Sequence, residues 1–212
     1  MRFLMKLAIA GVLVVTTTLV AFANVSNGDT IRLDYKDGTT TYIKDDGTEL
    51  PALPELYTED NEPELYCLAM NIYHESRSDN LAGQAAVADV VLNRVNDKRY
   101  PSTICKVVKQ GPVRESWKTR QTPDPTDAVF HPVRHRCQFS WWCDGKDDVP
   151  KQPMAWRKAQ EIAYHIVNSD LFRGITEGST HYHATYVDPK WNRSMLEMGR
   201  IGEHIFYKSL PK

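Results

Sequence analysis

The sequence lacks the features that mark several large classes of protein. It contains no internal repeat and no low-complexity tract, which excludes solenoid, collagen-like and largely disordered architectures. Its 212 residues carry a formal net charge of only -1, and no C-x-x-C pair is present. A charge this small does not indicate a nucleic-acid partner, and the cysteine spacing does not favour a zinc site. With 42% hydrophobic and 25% charged residues, the composition is that of an ordinary globular protein.

No apolar run reaches the roughly 20 residues that a membrane-spanning helix needs. The longest run, residues 7–22, follows Arg2 and Lys6 and closes with Ala21-Phe22-Ala23. A basic start, an apolar middle and small residues at the exit predict a signal peptide over residues 1–23, with a retained membrane anchor as the alternative. We therefore expect an exported protein of the periplasm, cell envelope or medium, whose contact with a membrane is limited to this segment.

The charges divide the remaining chain into an acidic lead-in and a mildly basic body. Residues 24–63 hold 10 acidic and 3 basic side chains, whereas residues 64–212 hold 17 acidic and 21 basic ones. In the lead-in, alternating Ile31 and Leu33 precede Lys36-Asp37-Gly38, which predicts a β-hairpin followed by a proline-containing linker. The lead-in is interpreted as a solvated segment, or alternatively as a small hairpin that binds the wall or a partner. The body is interpreted as one catalytic domain.

The four cysteines are even in number and are expected in an oxidising compartment, so disulfides are the default interpretation. Of the three possible connectivities we favour Cys67 with Cys105 and Cys137 with Cys143. Zinc ligation and a nucleophilic cysteine stay open as alternatives.

Hydrophobic periodicity predicts a mostly helical α+β domain with a small sheet at its end. Apolar residues recur at helical spacing from Glu64, over residues 81–95 with Asn80 near the N-cap, after Pro101, and over residues 154–168. Residues 110–150 are rich in proline, glycine and aspartate, which predicts irregular structure. Residues 179–187 alternate, and residues 204–207 form a second short strand.

One carboxylate lies where the helical pattern calls for an apolar residue. Glu75 follows Leu68 by seven residues, so the two lie only about 20° apart on a helix. A carboxyl group on an apolar stripe is desolvated, which raises its pKa and suits it to act as a general acid. The alternative is a structural glutamate that pairs with Arg77 or Arg94.

Several ordered sequence blocks resemble the SleB-type cell wall hydrolases, a family that includes spore cortex-lytic enzymes and phage-encoded relatives. They are LAMNIYHESR (68–77), GQAAVA (83–88), VLNRV (91–95), YPSTIC (100–105), CQFSW (137–141) and THYH (180–183). The resemblance covers residues 64–208 and implies a lysozyme-like fold close to that of lytic transglycosylases. It implies the glycan strands of peptidoglycan as substrate and places Glu75 on the catalytic glutamate. His74, Ser76 and the terminal His-Tyr-His-Ala block depart from the usual family pattern.

The resemblance and the side-chain chemistry together predict the site. The expected substrate-binding residues are amide, hydroxyl and aromatic side chains able to contact sugars: Gln84, Gln138, Phe139, Ser140, Trp141, Tyr182 and Tyr207, with Trp142 a further stacking candidate. The predicted reaction needs no metal and no cofactor, and a monomer is expected.

The favoured mechanism is lytic transglycosylation, in which Glu75 acts alone, because no second acid stands out. Asp79 is the nearest candidate, and its other interpretation is a helix-start residue. A zinc amidase using His181, His183 and His204 is one alternative function. A non-catalytic secreted wall-binding protein is the other.

Overall fold

The computed structural model describes the backbone of residues 22–25, 30–34 and 40–44, and the structure of residues 57–121 and 124–210. Residues 1–21 of the predicted signal peptide lie outside the described residues, and its last two residues belong to a strand. The chain divides into two compact units, Met1–Ala52 and Leu53–Lys212. Within the described part of the chain, no helix is both long enough and apolar enough to cross a membrane.

The first unit contains a three-stranded antiparallel sheet in the order β1-β2-β3. Its strands are β1 (Phe22–Val25), β2 (Thr30–Asp34) and β3 (Thr40–Lys44). Strands β2 and β3 pair with Ile31 opposite Ile43, which confirms the predicted hairpin. Strand β1 was not expected from the sequence, because it includes the end of the apolar run attributed to the signal peptide.

Among the described residues of the second unit, four helices form its body and confirm the predicted periodic segments. They are α1 (Pro63–Ser76), α2 (Leu81–Asn96), α3 (Ile104–Val108) and α4 (Pro153–Asn168). The Asn80 side chain accepts a hydrogen bond from the Gly83 amide at 2.8 Å, and Thr103 caps α3 by accepting one from the Lys106 amide at 3.3 Å. Both caps satisfy amide groups that a helix start leaves without a partner.

The core lies where α1 packs against the other three helices. Leu68, Ala69 and Ile72 of α1 are fully buried there, together with Val91 of α2. The Cys67–Cys105 disulfide joins α1 to α3, and the Cys137–Cys143 disulfide closes a short loop, so both predicted pairings are confirmed. Loop-closure entropy gives roughly 4 kcal/mol for the first and roughly 2 kcal/mol for the second.

The folded unit begins earlier than the predicted domain start at residue 64. Tyr57 is buried in the helical core, and its hydroxyl group donates a hydrogen bond to the Gln160 carbonyl oxygen. The Gln160 side-chain amide in turn donates to the Tyr57 carbonyl oxygen at 3.3 Å. A fragment that starts at residue 64 therefore loses a core side chain, and residues 53–63 belong with the second unit.

A second three-stranded antiparallel sheet lies near the C-terminus, with its strands in the order β6-β8-β7. Its strands are β6 (His181–Ala184), β7 (Met195–Ile201) and β8 (His204–Ser209). Strands β6 and β8 were predicted, and β7 was missed. The reason is Gly199, which adopts a φ of 128° where the β7–β8 register shifts, so the apolar alternation of β7 is interrupted. This C-terminal sheet confirms the α+β class.

Residues 110–150 are less irregular than predicted. Strands β4 (Val113–Glu115) and β5 (Phe130–Pro132) pair as an antiparallel ribbon, and 3₁₀ turns occupy Thr119–Gln121, Pro125–Asp127 and Ser140–Cys143. Strands of three residues are too short to produce a readable alternation, which explains why the sequence did not reveal them.

Candidate active site

Glu75 lies in the last turn of α1, where it contacts strand β6. The Tyr182 hydroxyl donates a hydrogen bond to Glu75 Oε2 at 3.1 Å. Burial raises the pKa of Glu75 above its ordinary value, whereas the hydrogen bond from Tyr182 and the positive charge of Arg94 lower it. Burial is the largest of these effects, so the carboxyl group holds its proton to a higher pH than an exposed glutamate.

Tyr182 keeps its own proton and so remains a donor to Glu75. Burial and the neighbouring Glu75 charge both raise the pKa of Tyr182 well above the ordinary value. In the β6–β8 ladder Tyr182 is directly opposite Phe206, which is buried against α2 residues Ala86 and Val90. The terminal sheet therefore fixes the hydroxyl that contacts the candidate acid.

Arg94 of α2 is the cation that lowers the pKa of Glu75, and this residue is 3% exposed. Its Nε donates to the Thr180 carbonyl oxygen at 2.7 Å, and its guanidinium carbon lies 5.4 Å from the Tyr100 ring centroid and 5.2 Å from that of Phe139. Burial lowers the pKa of Arg94, while Tyr182, Tyr100 and Glu75 raise it. The cation is thus held by rings and a carbonyl group.

The structural alternative for Glu75 required an ion pair with Arg77 or Arg94. Among the described residues, neither arginine lies within 4.0 Å of the Glu75 carboxylate. Arg77 instead stacks its guanidinium 5.2 Å from the Tyr73 ring centroid. Glu75 is therefore a desolvated acid that a hydroxyl group contacts directly and an arginine influences from farther away.

The short disulfide loop docks on α1 beside Glu75. Trp141 Nε1 donates to Asn71 Oδ1 at 3.1 Å, and its ring stacks on His74 with centroids 4.6 Å apart. His74 Nε2 in turn lies 2.9 Å from the Asp148 carbonyl oxygen. Phe139 is buried under Arg94, whereas Gln138 and Ser140 present exposed side chains. The structure therefore brings this predicted block to the end of α1, with two of its aromatic side chains packed inside.

Asp79 and Gln84 tie the α1–α2 connection to the terminal sheet. The Asp79 carboxylate accepts hydrogen bonds from the Asn80 amide at 2.7 Å and the Glu203 amide at 3.0 Å. Gln84 is buried and donates to the Asp79 carbonyl oxygen at 2.8 Å. Gly202 has a φ of 58°, and a Cβ there would lie 2.4 Å from the Asp79 carboxylate, so the turn accommodates only glycine. These contacts agree with the interpretation of Asp79 as a helix-start residue.

Tyr207 lies on the opposite face of the sheet from Tyr182. It is directly opposite His181 and next to Phe206, so strand alternation separates it from the Glu75 side. Its hydroxyl donates to Glu197 Oε2 at 3.2 Å and lies 3.1 Å from His183 Nε2. Tyr207 is therefore not brought to Glu75, and its predicted contact with substrate stays a prediction.

The zinc hypothesis required three imidazoles to converge, and that expectation is wrong. His204 is directly opposite Ala184 and shares its sheet face with Tyr182, whereas His181 and His183 lie on the other face. Over residues 57–121 and 124–210, no group of three histidine, cysteine, aspartate or glutamate side chains is placed to hold a metal ion. The four cysteines are all in disulfides, so the nucleophilic-thiol alternative is also wrong.

Arg94 and His74 contribute to this site without having been predicted as functional residues. A signal for Arg94 was present: it follows Val87 by seven residues and Val91 by three, so it lies on the fully buried stripe of α2. The same observation singled out Glu75 on α1. No comparable pattern marked His74, whose contacts with Trp141 and Asp148 join residues far apart along the chain.

The comparisons with known proteins give the class. A model of the cell wall hydrolase family matches residues 78–207, and the chain belongs to that family. The match begins after Glu75, so the role of that residue depends on the geometry described above. No curated protein matches the chain.

Two solved structures are similar over 74% of the chain, each at 22% identity. One is the catalytic domain of the Bacillus cereus SleB protein, covered over 95% of its length with a TM-score of 0.45. The other is the catalytic domain of the germination-specific lytic transglycosylase SleB from Bacillus anthracis, covered over 100% with a TM-score of 0.46.

Proposed function

We propose that this cell wall hydrolase cleaves the glycan strand of peptidoglycan between N-acetylmuramic acid and N-acetylglucosamine, with Glu75 as general acid. One observation carries the proposal: burial raises the pKa of Glu75 while its Oε2 is held by Tyr182. Its Oε1 accepts no hydrogen bond from the described residues. In the protonated form, Oε2 accepts the hydrogen bond from Tyr182 and Oε1 carries the proton. That proton can be given to a glycosidic oxygen.

The reaction runs in two steps that need one carboxyl group. Glu75 first gives its proton to the leaving oxygen, and the bond between that oxygen and C1 of the muramic acid breaks. The resulting carboxylate is stabilised by Tyr182 and Arg94. It then takes the proton of the C6 hydroxyl group of the same muramic acid while the oxygen of that hydroxyl group attacks C1. The products are a 1,6-anhydro sugar and a new strand end, and no water is consumed.

The contacts of Asp79 favour this route over hydrolysis by two acids. A hydrolase would use a second carboxylate as nucleophile or base. The Asp79 carboxylate is 5% exposed and faces two backbone amides and, at 3.5 Å, His204 Nδ1. The Asp79 carboxylate therefore stabilises the local backbone and is not placed to act as a nucleophile or base. The groups that shift the pKa of Glu75 include no other carboxylate.

The test of the proposal is the product of a digest. Purified peptidoglycan treated with the full chain is expected to release anhydro-muropeptides, identified by mass as one water lighter than the corresponding reducing-end fragments. Reducing-end fragments would show hydrolysis instead. Free peptide stems would show an amidase, and no release would leave the wall-binding alternative.

We further propose that the protein acts outside the cytoplasm. Peptidoglycan lies there, the N-terminal segment has the pattern of a signal peptide, and both disulfides suit an oxidising compartment.

Tyr182→Phe is expected to move the alkaline limb of the pH–rate profile upward. The hydroxyl group lowers the pKa of Glu75 by stabilising the carboxylate, so its removal raises that pKa. The acid then stays protonated, and active, to a higher pH. The measurement is wall clearance across pH for both proteins. Tyr164→Phe, a hydroxyl deletion on α4, serves as the control. An unchanged or acid-shifted limb in Tyr182→Phe would contradict the assignment.

A further inference from the structure

Residues 112–121 and 124–136 form an excursion from the second unit, here termed the basic arm. Its two ends meet, since the Gln138 amide donates to the Gln110 carbonyl oxygen at 2.8 Å. Its base is fastened to the disulfide loop by Arg134 Nε, which donates to the Asp144 carbonyl oxygen at 2.9 Å, and by the His135 amide, which donates to the Cys143 carbonyl oxygen at 3.0 Å. None of Glu75, Arg94 and Tyr182 belongs to it.

The arm presents an aromatic ring and cations with no structural role of their own. Trp117 is 61% exposed, which is unusual for so large an apolar side chain. Arg114, Lys118 and Arg120 are also exposed, and among the described residues no carboxylate lies within ion-pair distance of them. Exposed arginine and lysine side chains are ordinary by themselves. The exposure of an indole beside them does not contribute to the stability of the fold, so a ligand is the better explanation for this combination.

These side chains share one concave surface. It encloses about 680 Å³ and is lined by residues of the β4–β5 ribbon and the turn after β4. In the ribbon Arg114 is directly opposite His131, so both lie on the same face. The charged lining residues are four cationic side chains and one carboxylate: Arg114, Lys118, Arg120, Arg134 and Glu115. The surface is therefore strongly positive, although the whole chain is nearly neutral.

A cationic concavity beside an exposed indole fits an anionic sugar polymer. The cations complement carboxylates, and the flat apolar face of the indole suits the C–H face of a sugar ring. Peptidoglycan offers both groups, since its muramic acid residues bear peptide stems that end in carboxylates. A lipid surface is less suitable, because Trp117 lines this concave surface together with the charged side chains.

We propose that the basic arm is a second binding surface for peptidoglycan, separate from the cleavage site, which holds the carboxylate-bearing strand while Glu75 cuts it. The choice of ligand rests on the proposed function. Binding through the arm should survive loss of the acid and should weaken with salt, since exposed charges are screened within a Debye length of about 8 Å at physiological ionic strength.

The test measures co-sedimentation with insoluble purified peptidoglycan, using the full chain carrying Glu75→Gln so that the wall stays intact. Adding Trp117→Ala, or Arg114→Glu together with Arg120→Glu, is expected to weaken binding by roughly tenfold or more, as for loss of an aromatic or arginine anchor. Lys106→Glu and Tyr186→Ala alter exposed side chains elsewhere and are the matched controls. Melting temperatures verify that every variant is folded.

A second measurement separates the arm from the cleavage site. With Glu75 intact, the arm variants should clear insoluble wall more slowly but cut short soluble glycan fragments at the unaltered rate. Arm variants that sediment with peptidoglycan like the controls overturn the proposal. The same variants are also tested for binding to vesicles of anionic phospholipid, and a loss of binding seen only with these vesicles overturns it too. If the unaltered protein binds through the arm but releases no fragments, the proposed cleavage is wrong and the arm proposal stands.

Discussion

Glu75→Gln is expected to lower the rate of wall cleavage at least roughly a hundredfold, as for loss of a general acid. The amide keeps the shape of the side chain and can still accept the hydrogen bond that Tyr182 donates to Oε2. It has no acidic proton to give to the glycosidic oxygen. The measurement is the initial rate of release of soluble fragments from purified peptidoglycan.

The same substitution should not destabilise the protein. Because burial raises the pKa of Glu75 above 4.5, the folded state binds this proton more tightly than the unfolded state does. The stability of the unaltered protein therefore falls as the pH rises from 4.5 through the folded-state pKa, and above that pKa the loss is complete. The glutamine variant lacks this loss, so its melting temperature should equal or exceed that of the unaltered protein at neutral pH.

Activity and melting temperature from one preparation decide between the two roles of Glu75. If the residue were structural and paired with an arginine, the amide would lower the melting temperature and leave cleavage largely intact. A glutamine variant that clears wall at a near-unaltered rate would falsify the catalytic assignment.

Asp89→Ala is expected to destabilise the protein by about 3–5 kcal/mol, the usual cost of removing one partner from a buried ion pair. Asp89 is fully buried on α2 and forms an ion pair with Arg173. Its carboxylate also accepts hydrogen bonds from the Gly174 amide at 3.1 Å, the Thr176 amide at 3.2 Å and Thr176 Oγ1 at 2.6 Å. Alanine removes the acceptor of these amide and hydroxyl groups, and it leaves Arg173 only its longer hydrogen bonds to the residue 89 carbonyl oxygen at 3.4 Å and to Asn93 Oδ1 at 3.5 Å.

The loss should be visible as a fall in melting temperature on the order of 10 °C, given roughly 2–4 °C per kcal/mol for a chain of this size. Asp188→Ala is the matched control, because Asp188 also pairs with an arginine, Arg193 at 3.1 Å, but with both side chains more than half exposed. That control should leave the melting temperature nearly unchanged, because solvent screens the exposed pair. Equal effects of the two substitutions would contradict the importance assigned to burial.

Asp89 also bears on the active site, since the segment it holds leads directly into β6. Residues 173–176 wrap around its carboxylate, Thr180 accepts the hydrogen bond of Arg94, and Tyr182 contacts Glu75. One buried carboxylate thus anchors the segment that positions the hydroxyl group beside the acid.

Local patterns in the sequence determined much of this fold. The helices follow from apolar residues at three- and four-residue spacing, because such a stripe can be buried only when the segment is helical. Asn80 and Thr103 each start a helix through a hydrogen bond to an amide group three residues further along the chain. The family resemblance, confirmed over residues 78–207, depends on the same contiguous blocks.

The position of Glu75 was also readable from the sequence, since its angle on α1 requires no knowledge of the neighbouring elements. Its partners were not readable. Tyr182 lies 107 residues away, and only the docking of β6 beside α1 brings its hydroxyl group to the acid. The zinc hypothesis failed for the same reason, because spacing along a strand does not tell which face a residue on another strand shares.

The sequence by itself therefore determined the helices, the family and the one acid on an apolar stripe, because these features depend on residues that are close together in the sequence. It also determined the disulfide pairs, because four cysteines allow only three connectivities. Only the tertiary structure decided that Arg94 lies close to two aromatic rings, that the Asp79 carboxylate bonds to backbone amides and that Tyr57 belongs to the core. It also showed that the basic arm leaves and rejoins the core at one point. The physical reason is that these features depend on contacts across tens of residues, where packing and hydrogen bonding select one arrangement among many that local propensity permits equally.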